Sequence, residues 1–212
     1  MKDTPQQQFW TSQFGADYTE RNIYSPDELD VFYRKTFGVT ATAMIEDFSR
    51  DLNINNVLEV GCNVGNQLRL LQKLGFQNLT GVEIQPYAVE RAKQLTHDID
   101  IVEGSAFELP FPDDFFDLVF TAGVLIHVAP ADLPTAMTEI HRVSRRYIRG
   151  LEYWSGTHQE IEYRGNKNRL WKGDFADMYS RLFFDLKLLK RKKFKYLENE
   201  NIDEMFLLEK VK

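Results

Sequence analysis

Glu59 and Glu83 are the residues of this 212-residue chain whose placement points most directly to chemistry. The first lies in Val57-Leu58-Glu59-Val60-Gly61-Cys62-Asn63-Val64-Gly65-Asn66 and the second in Gly81-Val82-Glu83-Ile84, with 22 positions separating Gly61 from Glu83. An acid closing a second apolar run can accept hydrogen bonds from both hydroxyls of a ribose, and it selects a ribose without a phosphate. Gly61 permits a sharp turn after the first run, and Gly65 opens the helix that follows. The dinucleotide fingerprint needs a glycine in the middle of this turn so that a pyrophosphate can approach bare backbone. Asn63 stands there instead. Glu59 adds a negative charge that repels a diphosphate and suits an ammonium. The expected ligand is therefore S-adenosylmethionine, held by Glu59, Gly61, Asn63, Gly65, Asn66, Glu83 and Ile84.

Two later segments extend the site. In Gly104-Ser105-Ala106-Phe107-Glu108-Leu109-Pro110-Phe111, backbone groups and a flat apolar side chain can hold an adenine, which adds Ser105, Ala106 and Phe107. In Phe116-Asp117-Leu118-Val119-Phe120-Thr121-Ala122-Gly123-Val124-Leu125-Ile126-His127, the small residues Ala122 and Gly123 leave room for a sulfonium and an incoming acceptor. His127 ends that segment. An imidazole normally titrates near neutral pH, so His127 is the candidate general base, the alternative being a histidine that only packs or orients a neighbour. Acceptor contacts are expected from Tyr18, Arg21 and Asn22, in a polar and aromatic segment too short to form its own core, and from Glu152, Tyr153, His158, Tyr163 and Arg164.

These segments resemble the four cofactor motifs of class I S-adenosylmethionine-dependent methyltransferases, over roughly residues 50 to 150. A narrower resemblance, to the pseudaminic acid biosynthesis-associated methylases, rests on Phe14-Gly15-Ala16-Asp17-Tyr18-Thr19-Glu20-Arg21-Asn22, Leu58 to Asn66, Gly123-Val124-Leu125-Ile126-His127 and Tyr163-Arg164-Gly165. The resemblance implies a seven-stranded sheet whose last strand is antiparallel, and an N-terminal helical lid. It also implies S-adenosylmethionine at Glu59, Gly61, Gly65, Glu83 and Ala106. Many class I enzymes carry Asp where this chain has Ser105.

The elements that must position these residues follow from periodicity and punctuation. Ser25-Pro26-Asp27-Glu28 is a capping box with proline at the first helical position. Gly38 splits the helical stretch that follows. Leu68, Leu71 and Leu74 give the first crossover helix its apolar stripe, and Gly75 ends it. Strands are expected at Val57 to Val60, Leu79 to Ile84, Ile99 to Glu103, Phe115 to Ala122 and Tyr147 to Trp154, with two more at Phe184 to Phe194 and Glu204 to Lys210. One helix starts at Pro86, and another starts at Pro130 or Pro134 and runs to about Ser144. Alternating strands and helices call for an α/β fold, a doubly wound, Rossmann-like sheet with helices on both faces. Residues 1–50 are read as a helical lid or cap and 51–212 as the methyltransferase domain, in one compact unit.

Composition limits the partners. The formal charge of −6, from 26 basic and 32 acidic residues, argues against a nucleic-acid binder. Lys190-Arg191-Lys192-Lys193 is read as a solvated strand end. Cys62 is the only cysteine, which excludes an intrachain disulfide and a thiolate metal site. His97, His127, His141 and His158 lack metal-ligand spacing, so no metal is expected. Met1 to Gln8 has no apolar run, and the longest apolar stretch, around Leu118 to Val128, is far short of a membrane span. The expectation is a cytoplasmic monomer or homodimer that methylates oxygen or nitrogen of a small polar acceptor such as a sugar or sugar nucleotide. Two alternatives remain: an NAD-dependent oxidoreductase, and a protein that binds S-adenosylmethionine without transferring its methyl group.

Overall fold

The computed structural model describes residues 4–211. Four helices come first: α1 (Pro5–Thr11), α2 (Gln13–Arg21), α3 (Pro26–Phe37) and α4 (Ala41–Ser49). The alternating section follows as β1 (Val57–Val60), α5 (Asn66–Lys73), β2 (Leu79–Glu83), α6 (Pro86–Leu95), β3 (Ile99–Glu103), β4 (Phe116–Ala122), α7 (Leu133–Val143) and β5 (Ser144–Tyr153). A hairpin, β6 (Gln159–Tyr163) and β7 (Asn166–Lys172), then precedes α8 (Phe175–Leu182), β8 (Leu186–Lys195) and β9 (Ile202–Lys210).

Seven strands form one sheet in the order β3-β2-β1-β4-β5-β9-β8. The first five are parallel, and β9 runs antiparallel to both β5 and β8. Chain order reverses between β1 and β4, and in open α/β sheets the crevice beyond the strand ends at such a point takes the ligand. β1 is buried at all four positions, Glu59 included, as expected of a central parallel strand covered on both faces. Strand alternation divides the core into two layers. Val57, Leu118, Phe120, Tyr147, Leu151 and Met205 face Leu29, Tyr33, Met44, Ile45 and Phe48 of α3 and α4 and the leucines of α5. Leu58, Val60, Val119, Ile148 and Phe206 face α7 and α8.

The punctuation acts as expected. Ser25 Oγ accepts from the Glu28 amide at 3.3 Å while Glu28 Oε2 accepts from the Ser25 amide at 2.8 Å, and Gly38 closes α3 with φ of 76°. Pro86 and Pro134 lie in the first turns of their helices. Residues 4–50 divide into two kinds of structure: α3 and α4 share the sheet's core, whereas α1 buries none of its residues and α2 only Gly15 and Thr19.

Two pieces lacked a periodic signal, the α1–α2 corner and the β6–β7 hairpin, while α8 is amphipathic but was not expected. The hairpin turns on Arg164 and Gly165, both left-handed with φ of 48° and 78°, between the paired Tyr163 and Asn166. Two-residue turns with both positions left-handed match the twist of the flanking strands. Arginine is an uncommon choice for the first of these positions, which hides the turn in the sequence. The Lys190–Lys193 run sits on edge strand β8 and is largely paired. Lys190 and Lys192 reach Asp47, Arg191 reaches Asp174 and Glu204, and Lys193 lies over the Trp154 ring. No helix of the described residues is long and apolar enough to cross a membrane.

Candidate functional site

A cavity of about 400 Å³ opens where the strand order reverses, within the size range of small-molecule sites. Its floor is the turn after β1. Gly61, Asn63 and Gly65 all adopt left-handed φ, of 75°, 47° and 74°. Asparagine tolerates that conformation because its short amide side chain bonds locally, so Asn63 fills a position where a dinucleotide turn has glycine. A Cβ on Gly61 would come 2.6 Å from Val124 Cγ2, so the turn fits tightly beneath the segment after β4.

Glu83 ties this turn to β2. Its Oε2 accepts from the Asn63 amide and its Oε1 from the Gln85 amide, both at 2.8 Å. A carboxylate has about four acceptor sites, and the Ile84 backbone also bonds to it, so about one remains for a ligand hydroxyl. Burial pushes the Glu83 carboxyl up, while the bonds from Gln85 and Asn63 oppose the shift. Glu59 is 3% exposed, and its Oε2 is buried without a partner. Burial also raises the Glu59 carboxyl well above the ordinary range, with Arg149 opposing and Glu83 reinforcing. An orphaned buried carboxylate oxygen beside a cavity is a place for a ligand cation.

Helices α1 and α2 lie over the cavity and bond to the residues that line it. Gln7 Nε2 donates to Ser105 Oγ at 2.9 Å, Thr19 Oγ1 to Asn63 Oδ1 at 3.0 Å, and Gln85 Nε2 to the Trp10 and Ser12 carbonyls at 3.0 Å. Asn66 Nδ2 donates to the Asn22 carbonyl at 2.7 Å, and its Oδ1 accepts from the Tyr24 amide at 3.2 Å. Trp10, Gln7 and Gln85 thus belong to the site. Only Gln85, two residues past Glu83, had a neighbour in the sequence to mark it.

His127 closes a one-turn 3-10 helix after β4 and lies under the aromatic cover, with ring centroids 4.6 Å from Trp10 and 5.1 Å from Tyr163. Its Nδ1 is 2.7 Å from the Arg169 carbonyl. A carbonyl only accepts, so Nδ1 carries the proton and Nε2 is the basic nitrogen. Burial holds the imidazole down at about 4, the bond to Arg169 opposing, so His127 is neutral at pH 7.

The expected residues separate into two groups. Glu59, Gly61, Asn63, Asn66, Glu83, Ile84, Ser105, Ala106, Phe107, Ala122, Gly123, His127, Tyr18, Asn22, Tyr153 and Tyr163 line the cavity. Gly65, Arg21, Glu152, His158 and Arg164 are not in its lining. Gly65 turns its open side toward Thr96, and Arg21, His158 and Arg164 are solvent-exposed. Glu152 neighbours Tyr153 on β5, and the two-residue period of a strand sends it to the other side of the sheet. There it is 1% exposed and accepts from the Val124 and Ile126 amides, holding the turn that carries His127.

Known proteins agree with this architecture. Residues 58–147 match the model of a methyltransferase domain. That segment runs from β1 to the middle of β5 and carries every turn of the cavity floor. Over 157 residues, 69% of this chain and 41% of the relative, the sequence is 30% identical to sterol 24-C-methyltransferase erg6 of Aspergillus fumigatus. The chain therefore spans about two-fifths of that protein's length. Among solved structures, the PH0226 protein from Pyrococcus horikoshii OT3 superposes with a TM-score of 0.69 at 16% identity, covering 96% of this chain and 98% of that one. Burkholderia thailandensis 1,6-didemethyltoxoflavin-N1-methyltransferase, solved with 1,6-didemethyltoxoflavin and S-adenosylhomocysteine, gives 0.69 at 15% identity, covering 100% of this chain and 92% of that one. At such identities the structures speak for the fold.

Proposed function

We propose that the chain is an S-adenosylmethionine-dependent methyltransferase acting at oxygen or nitrogen of a small polar acceptor, such as a sugar or a related metabolite. The observation that carries this reading is the charge of the cavity. Glu59 and Glu83 line its cofactor end, and among the described residues no lysine or arginine lines it. A diphosphate cofactor would bring negative charge into that wall, whereas S-adenosylmethionine carries a sulfonium and an ammonium. The methyltransferase-domain match supports the same choice.

Bound there, S-adenosylmethionine supplies a methyl group already activated by its sulfonium. The protein's part is to position, exclude water and move a proton. Glu59 Oε2 would take the ammonium and the remaining acceptor site of Glu83 a ribose hydroxyl. Ser105, Ala106 and Phe107 would flank the adenine. The Trp10, Tyr18 and Tyr163 rings keep water out, so an acceptor under them is held by the protein and not by solvent. The proton lost by a hydroxyl or amine passes to His127 Nε2, which is unprotonated at neutral pH. The narrower kinship to the pseudaminic acid biosynthesis-associated methylases is part of this reading. Its first and last segments meet in the fold, with the Phe14 and Tyr163 rings 5.9 Å apart. A cytoplasmic monomer or homodimer is the matching cellular form.

Titration calorimetry with S-adenosylhomocysteine and NADH tests the cofactor assignment: the first should bind and the second should not. Tight NADH binding alone would favour an oxidoreductase. A screen of sugars, amino sugars and amines with a labelled methyl donor tests transfer, and a panel left unlabelled throughout would favour a binding protein without turnover.

A further inference from the structure

The methyltransferase reading leaves one buried acid without a task. β9 runs antiparallel to β5, so its first residues lie at the sheet edge where β5 ends, and Asp203 pairs with Tyr153. Asp203 lines the cavity, is 8% exposed, and has an Oδ1 that is buried with no partner. Its Oδ2 accepts from the Tyr196 hydroxyl at 3.3 Å. Tyr153 and Tyr196 pack with ring centroids 5.8 Å apart. With Leu151 these side chains form a wing of the cavity that is aromatic on its walls and acidic at one point.

We propose that this wing receives the acceptor, that Asp203 Oδ1 accepts a hydrogen bond from its hydroxyl or amine, and that the acceptor is therefore neutral or cationic where it enters the cavity. The inference rests on the methyltransferase reading and narrows it. A buried carboxylate oxygen with a free acceptor site favours a donor and disfavours another anion. No cationic side chain of the described residues lines the cavity to offset a phosphate or carboxylate. The nearby cations are engaged elsewhere. Lys172 Nζ donates to Asn201 Oδ1 at 2.5 Å and lies over the Tyr153 ring, and Arg149 is buried with a bond to Ser49 Oγ at 2.9 Å. A sugar nucleotide would have to keep its diphosphate outside.

By themselves, the protein groups acting on Asp203 favour its protonated form. Burial and the Glu152 carboxyl push its carboxyl up to about 8, with Tyr196 and Lys172 opposing, and Tyr33 of α3 and Tyr153 also face it. A cation or a hydroxyl donor at Oδ1 stabilises the ionised form that burial disfavours.

Three probes of one shape and different charge test this: tyramine, tyrosol and 4-hydroxyphenylacetate, added to the protein saturated with S-adenosylhomocysteine and followed by saturation-transfer NMR and calorimetry. Tyramine and tyrosol should bind at least about tenfold more tightly than 4-hydroxyphenylacetate, and Asp203→Asn should erase most of their advantage over 4-hydroxyphenylacetate while leaving the affinity for S-adenosylhomocysteine unchanged. Equal or tighter binding of the carboxylate, no binding of the other two, or an unchanged preference in the variant would overturn the proposal. The comparison of probes on the unaltered protein stands even where the variant folds poorly. Loss of S-adenosylhomocysteine binding by the unaltered protein would instead refute the cofactor reading, so the two failures are distinguishable.

Discussion

The two ends of the cavity are built in different ways. The floor beside β1 and β2 comes from two short runs, Gly61–Asn66 and Glu83–Gln85, joined by the bonds from Asn63 and Gln85 to one carboxylate. The opposite end is collected from the α1–α2 corner, the turn after β4, the end of β5, the β6–β7 hairpin and the start of β9. A local turn keeps its geometry through backbone conformation and a few bonds close in sequence. A site assembled from five separate segments depends on the whole fold and can change its contacts without disturbing the floor. The difference suits a constant cofactor at one end and a variable acceptor at the other.

Substitutions at the two ends should therefore separate cofactor affinity from the rest. The largest expected effect is at the floor. Glu83→Ala removes the partner of several backbone amides and the ribose-binding acid, and should weaken S-adenosylhomocysteine by about 1–3 kcal/mol, roughly five- to 150-fold, in calorimetry. Unchanged affinity there would erase the contrast between the ends.

Next in size is Glu152→Gln, which should leave that affinity alone and change the pH dependence of stability. Burial pushes Glu152 up to about 7, above its unfolded value near 4.3. The folded chain then holds more protons than the unfolded one between those values, so this contribution is complete below about 4.3 and is lost as pH rises through 7. The slope reaches at most about 1.4 kcal/mol per pH unit. Denaturant midpoints from pH 5 to 8 should show the gap between parent and variant narrowing as pH rises; a constant gap would mean that Glu152 is already ionised throughout.

Gln7→Ala deletes one bond between the cover and the adenine loop. Amide exchange in α1 should quicken by about two- to twelvefold, corresponding to roughly 0.5–1.5 kcal/mol, with α5 unaffected. Faster exchange in both would mean that cover and floor open together. The finest probe changes no residue. Nitrogen-detected NMR should find His127 protonated at Nδ1 at pH 7 and titrating near 4; a midpoint between 6 and 7 would place it in solvent.

The same division explains what could be read from the sequence. The turn after β1, the acid ending β2, the capped α3 and the order of strands and helices rest on local chemistry, and the seven-stranded sheet agrees with them. Positions fixed by long-range packing were hidden. Asp203 sits just after Glu198-Asn199-Glu200-Asn201, in a stretch that looks solvated until β9 carries it inward beside β5. Glu152 seems free until the strand period turns it to the far side of the sheet. Trp10 packs on Phe9 and Phe14 near it in sequence, but its role over His127 depends on a corner that Gln85 fastens from 75 residues away.

The fastening of α1 and α2 carries a consequence for the order of events. Asn63, Asn66, Ser105 and Gln85 each hold one of these helices or the stretch after them, and each also borders the space a ligand would fill. Admitting a guest must loosen the same clasps that keep α1 and α2 in place, and a seated guest would tighten them again. Resistance of that leading stretch to a protease is thus a direct gauge of whether the chamber is filled.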